Sequence, residues 1–119
     1  MLDVTSRVYD DGKVVLSVKS VSSKNHVKVV LNKDEVTVDA NDLIKAVENA
    51  MTSVVTESTV SEYEAYGLRG RIKVESTDKG VGVTLTKYYR NSINETVSTE
   101  DKTIEGRIFI QGIKNVMNA

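Results

Sequence analysis

Apolar and polar residues alternate along most of the chain, and that alternation predicts strands. Val4, Ser6 and Val8 oppose Thr5, Arg7 and Tyr9. The turn Asp10-Asp11-Gly12 follows, with a glycine that tolerates positive φ. Val14, Leu16 and Val18 then share one face against Val15, Ser17 and Lys19, and Ser22-Ser23-Lys24-Asn25 reads as a second turn. Beyond it, Val27, Val29 and Leu31 alternate with His26, Lys28 and Val30. Asn32-Lys33-Asp34 is a third turn, leading into a short strand from Glu35 to Val38.

The period changes at Asp39, a good helix N-cap, with Asp42 placed to favour the positive end of the helix dipole. Leu43, Ile44, Val47, Ala50 and Met51 recur at helical spacing, so one main helix is expected at about 39–52. From Thr52 to Tyr66 no period is firm, and the segment reads as a frayed helix end and a long connection. Alternation then resumes. Leu68, Gly70, Ile72 and Val74 oppose Arg69, Arg71, Lys73 and Glu75. A turn at Thr77-Asp78-Lys79-Gly80 leads to Val81, Val83 and Leu85, which alternate with Gly82, Thr84, Thr86, Tyr88 and Arg90. Residues 91–105 are polar and read as a loop, and Arg107 to Ile110 as a last strand before Gly112 and a short tail. Strands and helices do not alternate, so an antiparallel barrel or strongly curved sheet is expected, with one main helix in a mostly β single domain over 1–119.

Composition supports that reading and removes most chemistries. Val, Ile and Thr fill 38 of 119 positions, and β-branched residues pack well on a pleated surface. There is no cysteine, proline or tryptophan and only one histidine, His26. Disulfides, thiolate metal sites and histidine relays are therefore excluded. No apolar run approaches the ~20 residues of a membrane helix. The start Met1-Leu2-Asp3-Val4-Thr5 lacks a basic segment before an apolar core, so the expected setting is the cytoplasm, without a membrane.

The net charge of −1 conceals an asymmetry. Residues 1–67 carry seven Lys/Arg against eleven Asp/Glu, whereas 68–119 carry nine against six. Within 68–90 six basic residues face two acidic ones, which points to a confined anion-binding face.

Candidate chemistry follows from the side opposite the apolar one. Arg7 and Tyr9, then His26 and Lys28, then Arg69, Arg71 and Lys73, then Thr86, Tyr88 and Arg90 occupy it in successive strands. On one curved sheet they would form a cationic groove carrying tyrosine rings. Cations neutralise phosphates and release counterions, and aromatic rings stack unpaired bases, which is what a sequence-tolerant single-strand site requires. Arg69, Arg71 and Lys73 taken alone also fit a solvated edge strand, whose charges discourage aggregation. Tyr9 beside two aspartates fits a hairpin cap, and Phe109 fits a core. The joint pattern is the stronger signal.

Catalysis is not expected. Asp10-Asp11 and Asp34-Glu35 are paired carboxylates in turns, where acids belong anyway. No nucleophile, base and oxyanion site can be assembled, and no glycine-rich phosphate loop is present. Asp34, Asp39 and Asp42 could be imagined around a metal, but capping explains the last two more simply. No cofactor or metal is expected.

With a three-strand start, this length, the Cys- and Trp-free composition and the segment Val36-Thr37-Val38-Asp39-Ala40-Asn41-Asp42-Leu43-Ile44-Lys45-Ala46-Val47-Glu48-Asn49-Ala50-Met51, the chain resembles the single-stranded DNA-binding proteins of lactococcal phages. The resemblance implies an OB-like five-stranded barrel. It further implies single-stranded DNA as partner, service to phage replication and recombination alongside proteins of those processes, a host-cell cytoplasmic setting, and assembly into a homo-oligomer. Arg7, Tyr9, Lys28, Arg69, Arg71, Lys73, Tyr88 and Arg90 are the candidate contacts. The competing expectation is a small phage β domain that acts by protein–protein contact, as a virion component or an inhibitor of a host enzyme. Its contact surface would be the acidic stretch from Glu48 to Glu64.

Overall fold

The computed structural model describes residues 3–52, 57–61, 68–77, 80–89, 92–99, 102 and 104–118. Four strands open the chain, β1 (Thr5–Asp10), β2 (Val15–Ser20), β3 (His26–Leu31) and β4 (Asp34–Asp39), followed by helix α1 (Ala40–Thr52). The pattern then recurs as β5 (Glu57–Ser61), β6 (Leu68–Ser76), β7 (Val81–Tyr89), β8 (Ser92–Ser98) and helix α2 (Gly106–Met117). Each set of four forms its own antiparallel sheet in chain order, β1-β2-β3-β4 and β5-β6-β7-β8. The fold is thus mostly β, as expected.

The turns form where the residue types allow. Gly12 takes φ 88°, and Asn25 and Asn32 take φ 62° and 57°, the left-handed region that glycine and asparagine tolerate best. Asn32 also locks its turn from both sides. Its N–H donates to the Val15 carbonyl at 2.9 Å, and its Oδ1 accepts from the Val15 N–H at 3.0 Å. At α1, Asp39 Oδ1 accepts the Asp42 N–H at 3.0 Å, the capping that its position predicts.

Several expectations need correction. The described strands form two separate sheets in place of one five-stranded OB-like barrel, because two further strands fall where connections were read. β5 lies inside the Thr52–Tyr66 connection, and β8 inside the polar 91–105 segment. The last predicted strand, Arg107 to Ile110, is the start of α2. Its three consecutive apolar residues mimic a buried strand, yet Phe109, Ile113 and Val116 are the ones that bury, at helical spacing.

The two halves repeat one another in what they bury. Leu16, Val18, Val27, Val29 and Leu31 correspond to Ile72, Val74, Val81, Val83 and Leu85, with matching registers: Leu16 pairs with Leu31 as Ile72 pairs with Leu85, and Val18 with Val29 as Val74 with Val83. In the helices the buried residues match at one constant spacing, Ala40 with Gly106, Leu43 with Phe109, Ala46 with Gly112, Val47 with Ile113 and Ala50 with Val116. The helices are exchanged between the halves. α1 follows the first sheet but lies against β5, β6 and β7, while α2 follows the second sheet and lies against β1, β2 and β3. The helices also touch each other, so side chains from both sheets and both helices make one apolar core. That reciprocal arrangement leaves neither sheet covered by its own helix.

Among the described residues, no helix is long and apolar enough to cross a membrane.

Candidate nucleic-acid interface

Both sheets turn their apolar faces toward the shared core, so their outer faces are two distinct surfaces. The candidate residues accordingly separate into two groups. Arg7, Tyr9 and Lys28 belong to the first sheet, and Arg69, Arg71, Lys73 and Tyr88 to the second. Arg90 lies outside the described residues. One continuous groove lined by all eight is therefore not what the strands build.

In the second sheet the local reason for the arrangement is the period of two. Gly70, Ile72 and Val74 of β6 are buried, so Arg71 and Lys73 project from the opposite face, Arg71 exposed and Lys73 half-buried. Register fixes what lies beside them. Arg71 pairs with Ser61 of β5 and Thr86 of β7, and Lys73 with Thr59 and Thr84. Continuing outward, Thr84 pairs with Ser98 and Thr86 with Thr96 of β8. Arg69 and Tyr88 occupy paired positions at the next outward step, so the register brings a cation and an aromatic residue type to the same end of the sheet. The register thus sets the two cations beside Thr86, which is half-buried, and Thr84, which is buried. Lys73 Nζ lies 3.4 Å from Glu75 Oε1, and both side chains are half-buried. Thr84 and Ser98 hydroxyls meet at 3.2 Å, and the buried Thr99 extends the ladder beside them. Its Oγ1 accepts the Val83 N–H at 2.9 Å and donates to the Val83 carbonyl at 3.1 Å.

In the first sheet, Arg7 is exposed and held 3.1 Å from Asp10 Oδ2. Lys28 is half-buried on the outer face, 3.4 Å from Glu35 Oε1. Tyr9 is displaced from the face predicted for it. A bulge at Val8 makes Arg7 pair with Ser17 but Tyr9 with Leu16, which turns Tyr9 to the core side. Its ring packs against the core, and its hydroxyl donates to Asp11 Oδ2 at 3.1 Å. Desolvation first, and then the Asp11 hydrogen bond and charge, raise the phenol above its ordinary value. Asp11 is a junction. It accepts the backbone N–H groups of Val14 at 2.7 Å and Lys13 at 2.9 Å and lies 3.6 Å from Lys102, beyond β8. The Val14 and Lys13 N–H groups, then Tyr9 and Lys102, lower its carboxyl to about 2.

Two features escaped the sequence reading. Lys19 lies directly opposite Lys28 across β2 and β3, with Thr5 and Thr37 at the ends of the same row. The alternation places Lys19 on this face, but a lone lysine beside Ser20 gives no further signal. Thr84 joins Arg71 and Lys73 only through the register of β6 on β7. Among the described residues, no group of three or more His, Asp or Glu could hold a metal ion. The chain matches no known protein family, no curated protein and no solved structure.

Proposed function

We propose that this chain binds single-stranded DNA without regard to base sequence, through the outer face of the second sheet, in phage replication and recombination as its resemblance implies. The observation that carries the reading is the strand β6. It buries Ile72 and Val74 and carries Arg71 and Lys73 on its opposite side, each paired in register with a threonine of β7. Cations on a sheet face neutralise phosphates with release of counterions, and a half-buried hydroxyl such as that of Thr86 can donate to phosphate oxygens. Neither contact carries base identity. The residue types at the Arg69 and Tyr88 positions extend the same surface toward base stacking, which also tolerates any sequence.

The test is fluorescence anisotropy of a labelled thymidine oligonucleotide at low and moderate salt, with duplex DNA as competitor. Binding that weakens with salt and resists the duplex supports the proposal. Absence of binding at low salt, where counterion release favours it most, overturns the proposal and directs attention to a protein partner.

A further inference from the structure

We infer that Glu75 is an internal competitor for the strand on the second sheet: it holds Lys73 in the free protein, and a phosphate that binds Lys73 has to displace it. This deepens the reading of that sheet given above and rests on it. The period of two sets the positions of Arg69, Arg71, Lys73 and Glu75 in one file along β6, three cations and then an acid. Long side chains two residues apart on a strand are near enough to meet, and the last two do. Lys73 Nζ lies 3.4 Å from Glu75 Oε1, its one ion pair among the described residues. The two side chains are 33% and 29% exposed, so the pair is screened less than one in open water, yet a phosphate can reach it.

The register gives Glu75 no counterion on its own row. Across β6 and β7 it lies opposite Gly82, which brings no side chain, and across β5 and β6 opposite the position of Glu57, a second acid. Like charges directly opposite each other destabilise a sheet. Lys73 is therefore the cation that compensates Glu75. On the row of Lys73 the opposite residues are Thr59 and Thr84, and neither is an anion. A phosphate arriving at Lys73 thus meets the Glu75 carboxylate already seated beside the ammonium, and like charges that close repel. Binding exchanges a carboxylate for a phosphate, so the ion pair that breaks cancels part of the attraction. The strand is accordingly drawn toward the Arg71 end of the file and held more loosely at the Glu75 end. The loss is that of one partly screened ion pair, about a two- to fivefold reduction in affinity.

The experiment measures the affinity of a labelled thymidine oligonucleotide by fluorescence anisotropy at one low salt concentration. The proteins compared are wild type, Glu75→Gln, Lys73→Gln and the double variant, each with its fold verified by circular dichroism. Glu75→Gln keeps the shape and removes the charge, and it is expected to bind about two- to fivefold tighter. Damage to the fold does not produce such a gain. In the Lys73→Gln background the same change should leave affinity where it is, because the competitor has nothing left to hold. Glu35→Gln serves as control, since it removes the same charge from a pair of the same 3.4 Å length, with Lys28, on the first sheet. It should leave affinity unchanged. Unchanged or weaker binding by Glu75→Gln, an equal gain without Lys73, or an equal gain in Glu35→Gln overturns this inference and leaves the second-sheet reading intact. Absence of any binding by wild type overturns that reading, and this inference with it.

Discussion

Gly112 of α2 sits on Val8, the residue that bulges from β1: a Cβ added to the glycine would lie 3.0 Å from Val8 Cγ2 and 3.5 Å from Ser6 Cβ. The contact is where the helix of the second half meets the sheet of the first. Ala46 holds the corresponding place in α1, again a small buried residue. Small side chains let a helix backbone come close to its sheet. Gly112→Val is expected to destabilise the protein by about 1–3 kcal/mol through overpacking. Gly106→Ala should cost less, although its Cβ would come 2.5 Å from Met51 Cγ and Sδ, because Met51 is a flexible side chain 41% exposed. Denaturant unfolding of the two variants checks the ranking.

The exchange of helices makes the halves interdependent. Phe109 is fully buried in α2, which belongs to the second half by sequence and covers the first sheet. Phe109→Ala is expected to cost about 3–5 kcal/mol. Its effect should reach both sheets. Hydrogen exchange followed residue by residue should show amides of β2, β3, β6 and β7 losing protection together. Loss confined to one sheet would mean that the halves unfold separately.

Thr99 tests the buried end of the second sheet. Its hydroxyl accepts from the Val83 N–H and donates to the Val83 carbonyl, which also accepts the Thr99 N–H at 2.7 Å. Thr99→Val keeps the shape and that backbone bond but leaves the Val83 N–H without its partner, at an expected cost of about 1–3 kcal/mol. Thr99→Ser, which keeps the oxygen, should recover most of it in thermal unfolding.

Asp11 gives the molecule a pH signature. Its carboxyl is lowered from 3.8 to about 2 in the folded protein, chiefly by the Val14 and Lys13 N–H groups. A folded-state value below the unfolded one means that the carboxylate binds fewer protons when folded. Its stabilisation is therefore full above the unfolded value and is lost as pH falls through the folded one. Asp11→Asn should lower the melting temperature at neutral pH, and the gap to wild type should close between pH 3.8 and about 2. A gap that does not change with pH would contradict the role given to this carboxylate.

How far the sequence reaches is visible in particular residues. The three turns of the first sheet, the cap at Asp39 and the hairpin of β6 with β7 follow from local rules of period and turn chemistry. β8 was hidden because Ile93 and Val97 are its only apolar residues, too few for alternation to register. α2 was hidden by Gly106 and Gly112, which occupy buried helical positions without adding apolar signal. The clue was a comparison between halves: Ile44, Asn49 and Met51 recur as Ile110, Asn115 and Met117 at the spacing of the buried residues. In the candidate site, Arg71 and Lys73 fall on the face that alternation assigns them. Tyr9 does not, because a bulge adds one residue and reverses the phase beyond it. Separation of the seven described candidates onto two sheets depends on long-range pairing, which no local period encodes.

The most direct test of the account is the salt dependence of oligonucleotide affinity for wild type and for Arg71→Gln/Lys73→Gln. If both cations contact phosphates, their removal weakens binding at every salt concentration and lowers the slope of log affinity against log salt by about 1.4, at roughly 0.7 per single-strand phosphate contact. An unchanged slope with unchanged affinity would contradict the placement of single-stranded DNA on the outer face of the second sheet.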